Sequence, residues 1–248
     1  MLVKILIKIA NKVGYNLEKQ NGNTTADITK NTEFMSLYEQ CKPYTMTSVE
    51  RLYSLYQSVN YIIDHNIPGD FVECGVWRGG SSMMMALTLL KRNETGRKIY
   101  LYDTFEGMSE PTSSDTTFTG ENASDLLKTQ DVNDADSIWC YSSIEEVKKN
   151  LGITAYPQEN LIFVKGKVED TLSSVVPDKI ALLRLDTDWY ESTRKELEVL
   201  YPNLLEKGIL IIDDFGHWEG AKKAVLEYFE KEKPLLHRID NTGRIMIK

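Results

Sequence analysis

Four aspartates at the ends of two apolar runs carry the most chemistry in this chain. Ile180-Ala-Leu-Leu-Arg-Leu-Asp186-Thr-Asp188 and Gly208-Ile-Leu-Ile-Ile-Asp213-Asp214 each pass from apolar residues directly into acid. Runs of this length, bounded by turn signals, match buried parallel strands. Between them, Glu191–Lys207 has a helical pattern that puts Leu197, Leu200, Tyr201, Leu204 and Leu205 on one face. A right-handed strand–helix–strand crossover brings Asp186, Asp188, Asp213 and Asp214 to the same sheet edge, where open α/β sheets bind ligands. Carboxylates crowded in one crevice repel each other unless a cation joins them, and an all-oxygen set suits Mg2+ or Ca2+. A lone aspartate after a strand is usually a helix N-cap. Two adjacent strands that both end in paired acids are harder to explain that way. Asp188, two residues beyond Asp186, falls on the same side of an extended strand and is placed to take a proton. His217, beside Trp218, is the rival base.

A second constellation lies upstream. Asp70-Phe-Val-Glu73-Cys-Gly75-Val-Trp77-Arg78-Gly79-Gly80-Ser81-Ser82, followed by apolar Met83–Leu90, predicts strand, glycine-rich loop and helix. Glycines let a ligand approach the backbone, and the helix N-terminus adds partial positive charge. The spacing is not GxGxxG, and no Walker lysine follows. Glu73 at the strand end repels a pyrophosphate but suits S-adenosylmethionine (AdoMet), which carries a sulfonium, an amino group and ribose hydroxyls. A second strand, Lys98–Tyr102, runs into Asp103-Thr104-Phe105-Glu106-Gly107, with Asp103 in the position that commonly binds ribose.

The elements that position these residues form a single α/β chain. Its 248 residues and 42% hydrophobic content suffice for one core, and the net charge of −8 argues against a nucleic-acid partner. Cys41, Cys74 and Cys140 are far apart and offer no zinc pattern, which suits a reducing, cytoplasmic setting. No apolar run is long enough to span a membrane. Met1–Val13 predicts a basic amphipathic helix that packs on its own domain or a partner, and Tyr15–Asn31 a polar loop. Phe34–Cys41 predicts a short helical turn, and Ser48–His65 a helix. Met108–Trp139 is a polar insertion without periodicity, read as a substrate lid. Trp139–Leu151 predicts a helix with Ser142 or Ser143 near its start, Asn160–Val164 a strand, and Gly220–Lys231 a helix. Leu235–Ile239 and Arg244–Ile247 predict a terminal hairpin. The domain division is residues 1–42 as an N-terminal extension and 43–248 as the main domain, with the insertion 108–139.

These motifs together resemble the macrocin O-methyltransferase family, AdoMet- and Mg2+-dependent enzymes acting on sugars of antibiotics and related glycosides. The resemblance rests on Tyr44-Thr-Met, Pro68-Gly-Asp-Phe-Val-Glu-Cys-Gly-Val-Trp-Arg-Gly-Gly, Leu101-Tyr-Asp-Thr-Phe-Glu-Gly, Leu183-Arg-Leu-Asp-Thr-Asp-Trp-Tyr-Glu-Ser-Thr and Asp213-Asp-Phe-Gly-His-Trp. It implies a Rossmann-like class I AdoMet-dependent methyltransferase: an α/β fold with a mostly parallel seven-stranded sheet and a C-terminal antiparallel hairpin. It implies metal ligands Asp186, Asp213 and Asp214 and a catalytic base at Asp188. The full set expected at AdoMet is Thr45, Met46, Glu73, Gly75, Val76, Trp77, Arg78, Gly79, Gly80, Ser81, Asp103, Thr104, Phe105, Gly166, Glu169 and Asp186. The expected partners are a sugar or glycoside acceptor and further copies of the chain. Two other readings compete. A nicotinamide-dependent oxidoreductase explains Asp103 but not the aspartate doublet. A non-catalytic scaffold has no need of four clustered carboxylates.

Overall fold

The computed structural model describes residues 25–248 except 133, 135 and 136. The amphipathic N-terminal segment Met1–Val13 and most of the predicted 15–31 loop lie outside the described residues. Among the described residues, strands β1 (Asp70–Cys74), β2 (Ile99–Asp103), β3 (Leu161–Lys165), β4 (Ile180–Leu185), β5 (Leu204–Ile212), β6 (His237–Arg238) and β7 (Arg244–Ile247) form one sheet. Its order is β3-β2-β1-β4-β5-β7-β6, parallel through β5, with β7 antiparallel to β5 and β6 antiparallel to β7. The helices are α1 (Ala26–Lys30), α2 (Thr32–Cys41), α3 (Val49–Asp64), α4 (Gly80–Lys91), α5 (Ala123–Thr129), α6 (Ile144–Gly152), α7 (Val168–Thr171), α8 (Tyr190–Val199) and α9 (Glu219–Tyr228).

The period of two along each strand divides the core. Phe71, Leu182, Ile209 and Ile211 pack with Leu37, Leu52, Leu55 and Met83–Met85 on one face. Val72, Leu183, Leu210 and Ile212 pack with Leu197, Val225 and Phe229 on the other. With both faces covered, the central strands have no polar side until their C-terminal ends. There the alternation has a consequence for the site. Glu73 follows the face of Phe71, Arg184 that of Leu182, and Asp213 that of Ile211, on adjacent strands or just past them.

Several predicted boundaries move. The helix expected over Glu191–Lys207 ends at Val199. A 3-10 turn at Tyr201–Asn203, with Pro202 near its start, interrupts it, and Leu204 already pairs with Ile180 in β5. Proline cannot continue the helical ladder, so Leu204 and Leu205 belong to the strand, not to a helical stripe. The helix expected from Trp139 begins at Ile144, where the Ser143 side chain accepts from Glu146 N–H. Part of the predicted 15–31 loop is helix α1, and Phe34–Cys41 belongs to the ten-residue α2, capped by Asn31. The boundary at residue 43 separates no core, because Phe34, Leu37 and Cys41 are buried in the main apolar cluster.

Residues 109–127 of the 108–139 insertion are pinned to the domain. Asp115 is fully buried and accepts from Thr112 N–H, Thr112 Oγ1 and Tyr190 N–H at 2.7–2.8 Å. Thr117 bridges to Trp218, Thr116 O accepts from Glu219 N–H, and Trp189 Nε1 donates to Ser109 O at 3.0 Å. Ala123 and Leu127 of α5 pack with Trp189, Trp218 and Ala221. Residues 109–127 of the insertion therefore form a wall over the N-termini of α8 and α9.

Candidate active site

A cleft with about 1100 Å³ of empty space opens at the C-terminal ends of β1, β2, β4 and β5. This is the topological switch point, where the onward connections from the neighbouring strands β1 and β4 run to opposite sides, to β2 and to β5. Of the residues expected at a cofactor, Thr45, Met46, Gly75, Val76, Trp77, Gly80, Ser81, Asp103, Thr104, Gly166, Glu169 and Asp186 line it, as do Asp188, Asp213 and Asp214.

Five expected site residues do not line the cleft, each for a visible reason. Glu73 is buried, held by Arg184 Nη1 at 2.8 Å and by the Ser82 hydroxyl. Burial raises its carboxyl while Arg184 opposes that shift. Arg78 turns outward to Glu146 at 2.8 Å and stacks near Tyr44 and Trp77. Gly79 closes against Val147 and Leu151. Phe105 is buried beside Phe163. His217 packs edge-on against Phe118 and Trp218, and burial, aided by Arg51, lowers its pKa.

The glycine-rich loop is shaped by Asp103. Its Oδ2 accepts from Val76 N–H at 2.7 Å and Trp77 N–H at 3.0 Å, and its Oδ1 accepts from Phe105 N–H at 2.6 Å. Trp77 takes a left-handed backbone (φ 48°), which this anchoring supports. Gly75 has φ 83°, and a Cβ there would overlap the Asp186 carbonyl oxygen. That close approach joins the two halves of the cleft floor.

The acidic half sorts into two groups. Asp186, Asp188 and Asp214 each offer a ligand atom within 4.8 Å of the others. Asp214 Oδ2 is buried with no hydrogen-bond donor on it among the described residues. An orphaned carboxylate oxygen beside two further carboxylates fits a hard divalent cation. Asp213 differs in having both oxygens taken by arginine, Oδ1 by Arg184 Nη2 at 2.6 Å and Oδ2 by Arg51, whereas Asp186 meets Arg184 Nη1 through its Oδ2 alone, at 2.6 Å. The ligand set expected at Asp186, Asp213 and Asp214 thus meets an arrangement that ties Asp213 to arginine and turns Asp188 toward the other two. Burial pushes Asp188 up to about 7; a hydrogen bond with Asp214 opposes this and the Asp186 charge adds to it. Burial also raises Asp186 and Asp214 well above the usual carboxylate range.

Arg184 and Arg51 were missed by sequence reasoning, as were Thr47, Lys167 and Cys140 on the cleft wall. Arg184 did leave a signal: an arginine inside an otherwise apolar strand must have buried partners. Arg51 left none, since a charged residue on an amphipathic helix is ordinarily solvated.

Solved structures share this architecture. "Structure of the O-methyltransferase NovP" superposes with a TM-score of 0.71 at 31% identity, covering 83% of this chain and 82% of that one. A calicheamicin methyltransferase, CalS11, gives 0.62 at 18% identity over 93% and 94%, a likeness of fold. Fold and cleft define a class I AdoMet-dependent methyltransferase. The family described as Macrocin-O-methyltransferase (TylF) matches residues 4–248, and the chain belongs to that family of AdoMet-dependent O-methyltransferases. Among its relatives, demethyldecarbamoylnovobiocin O-methyltransferase of Streptomyces niveus is 34% identical over 188 residues, covering 76% of this chain and 68% of that protein. The tetracenomycin-C 4'-O-methyltransferase of Streptomyces olivaceus, named for a dimethoxy-rhamnosyl substrate, is 32% identical over 203 residues, covering 81% and 74%. No helix among the described residues is long and apolar enough to cross a membrane.

Proposed function

We propose that this chain methylates a hydroxyl of a sugar carried on a small-molecule glycoside, with Asp188 as the proton acceptor and a divalent cation, Mg2+ by its chemistry, at the acidic cluster. The observation that carries the reading is the meeting of Asp186, Asp188 and Asp214 on the floor of the AdoMet cleft. Relatives named for a rhamnosyl tetracenomycin and for mycinamicin III 3''-O-methylation support a sugar acceptor.

Bound AdoMet supplies an electrophilic methyl group. Asp186 and Asp214 would hold the cation, with Asp213 beside them under its two arginines; the cation supplies Lewis acidity that makes a weakly acidic hydroxyl easier to ionise. The chain does the rest. The loop from Gly75 to Ser81, shaped by Asp103, presents the cofactor face of the cleft. The insertion contributes Met108 and Ser109 to the wall and so restricts where an acceptor can sit. Asp188 takes the hydroxyl proton as the oxygen attacks. Alignment of acceptor and methyl supplies much of the remaining acceleration, up to about 7–11 kcal/mol in ideal cases.

The charge of the cleft favours a neutral acceptor over an anionic one. Its lining carries Asp103, Glu169, Asp186, Asp188, Asp213 and Asp214 against Arg51, Lys167 and Arg184, and both arginines are already paired. The test is mass spectrometry of neutral glycosides, sugar nucleotides and simple catechols incubated with AdoMet and Mg2+. A gain of one methyl group on a sugar of the neutral glycosides is expected. Methylation of catechols alone would sink the sugar assignment.

A further inference from the structure

Glu196 of α8 is fully buried and makes no ion pair among the described residues. Its Oε1 accepts from Thr187 Oγ1 at 2.9 Å, its Oε2 is buried with no well-formed hydrogen bond among the described residues, and the Cys74 thiol of β1 lies against the same carboxyl. An ionised carboxylate in such a place is very costly, so the group belongs there as a neutral acid. Burial does hold its carboxyl well above the usual range; the Thr187 hydrogen bond opposes this and the Glu169 charge adds to it. A leucine would pack this helix face without that cost.

Thr187 is the residue between Asp186 and Asp188. The segment is clamped from both sides. Asp186 N–H donates to Cys74 O at 2.8 Å, and the Asp186 carbonyl lies against Gly75. The Thr187 carbonyl accepts from Trp189 N–H at 2.8 Å and from Ser192 Oγ at 3.3 Å. Among the described residues, Glu196 provides the one hydrogen bond to the Thr187 side chain. Immediately after it, Asp188 adopts φ 68°, the left-handed region that a non-glycine residue keeps only when its surroundings impose it.

We propose that Glu196 is a positioning residue for methyl transfer: through Thr187 it locks the Asp186–Thr187–Asp188 turn so that the Asp188 carboxyl faces the cleft. The helix behind the site thereby sets the aim of the base without touching substrate. This rests on the reading of Asp188 as proton acceptor.

The test compares Glu196→Leu, Glu196→Gln, Thr187→Val and Asp188→Asn in single-turnover methyl transfer, with AdoMet affinity by calorimetry and thermal melting alongside. Misplacement of a reacting group costs up to about 10²-fold, so Glu196→Leu and Thr187→Val should slow the transfer step by about 10- to 100-fold. AdoMet affinity and acceptor KM should stay near parent values. Glu196→Gln keeps a neutral acceptor for Thr187 and should restore most of the rate, which a purely packing role does not predict. If Glu196→Leu does not fold, Thr187→Val decides alone. Near-parent turnover by Thr187→Val beside a slow Asp188→Asn overturns the positioning role and leaves the base standing. Near-parent turnover by Asp188→Asn removes the base assignment itself, and the positioning role with it.

Discussion

Arg184 and Asp213 meet at 2.6 Å, from the next-to-last residue of β4 to the first residue past β5. The Arg184 side chain is 3% exposed and also reaches Glu73 at 2.8 Å and Asp186 at 2.6 Å. Burial alone would lower its pKa, but Asp186, Asp213 and Glu73 outweigh that and keep it charged. One guanidinium therefore organises three carboxylates at the cleft floor, in the planar, forked geometry that lysine lacks.

Removing that guanidinium leaves buried charge uncompensated. Arg184→Met is expected to destabilise the fold by about 3–5 kcal/mol, as for other broken buried pairs. Arg184→Lys should recover only part, because an ammonium cannot serve the same contacts. Urea unfolding of the purified variants measures both. A loss under about 1 kcal/mol for Arg184→Met would mean that the neighbouring carboxyls neutralise by protonation instead.

The acidic cluster links metal, pH and stability. Burial pushes Asp188 from 3.8 up to about 7, and burial raises Asp186 and Asp214 in the same direction. Folded pKa values above unfolded ones mean that the metal-free fold binds more protons, so its stability falls as pH rises through that window. A cation binds the ionised forms and displaces those protons. Melting with EDTA should therefore show a lower midpoint at about pH 8 than at about pH 6, and Mg2+ should raise the midpoint more at the higher pH. Turnover should vanish in EDTA and return with Mg2+. An equal Mg2+ shift at both pH values, or full activity in EDTA, contradicts the cation site.

Asp103 shapes the loop that presents the cofactor face. Asp103→Ala removes its hydrogen bonds to Val76, Trp77 and Phe105 N–H groups and any bond to a ribose. A charge-assisted bond is worth about 1.5–3 kcal/mol, so AdoMet affinity should fall about 10- to 150-fold. Calorimetry with AdoMet reads this directly. Unchanged affinity would remove Asp103 from cofactor binding; Glu106, salt-bridged to Lys165 at 2.7 Å, is not placed to replace it.

Asp188 and His217 now separate on geometry. Asp188 lines the cleft; His217 stands outside it between Phe118 and Trp218. Asp188→Asn should lower the transfer rate constant by at least about 10², the lower end for loss of a general base. His217→Asn should change it little. Single-turnover rates at saturating Mg2+ and AdoMet compare them, and a dead His217→Asn beside a near-normal Asp188→Asn would reverse the roles.

Local pattern was enough to read the α/β order, the glycine-rich turn, the strand-end aspartates and the terminal hairpin, because each is written in contiguous residues: periods of two or 3.6, a Gly-Gly turn, acid after an apolar run. It failed where two local signals competed. Leu204 and Leu205 extend a helical stripe as well as they begin a strand, and pairing with Ile180 decided for the strand. The period of two expected to carry Asp188 to the side of Asp186 does not apply either: β4 ends at Leu185, and a tight turn with Asp188 at φ 68°, closed by Trp189 N–H on Thr187 O, brings the two together instead. The partners of the acids were beyond it altogether. Asp213 is claimed by Arg51, 162 positions away, and Glu73 by Arg184, 111 positions away. Thr187 is held by Glu196 from inside a helix whose pattern singles out no such residue. Spacing along the chain says which carboxylates reach the sheet edge. Only the folded packing of α3, β4 and α8 against that edge decides which of them meet a guanidinium and which meet each other.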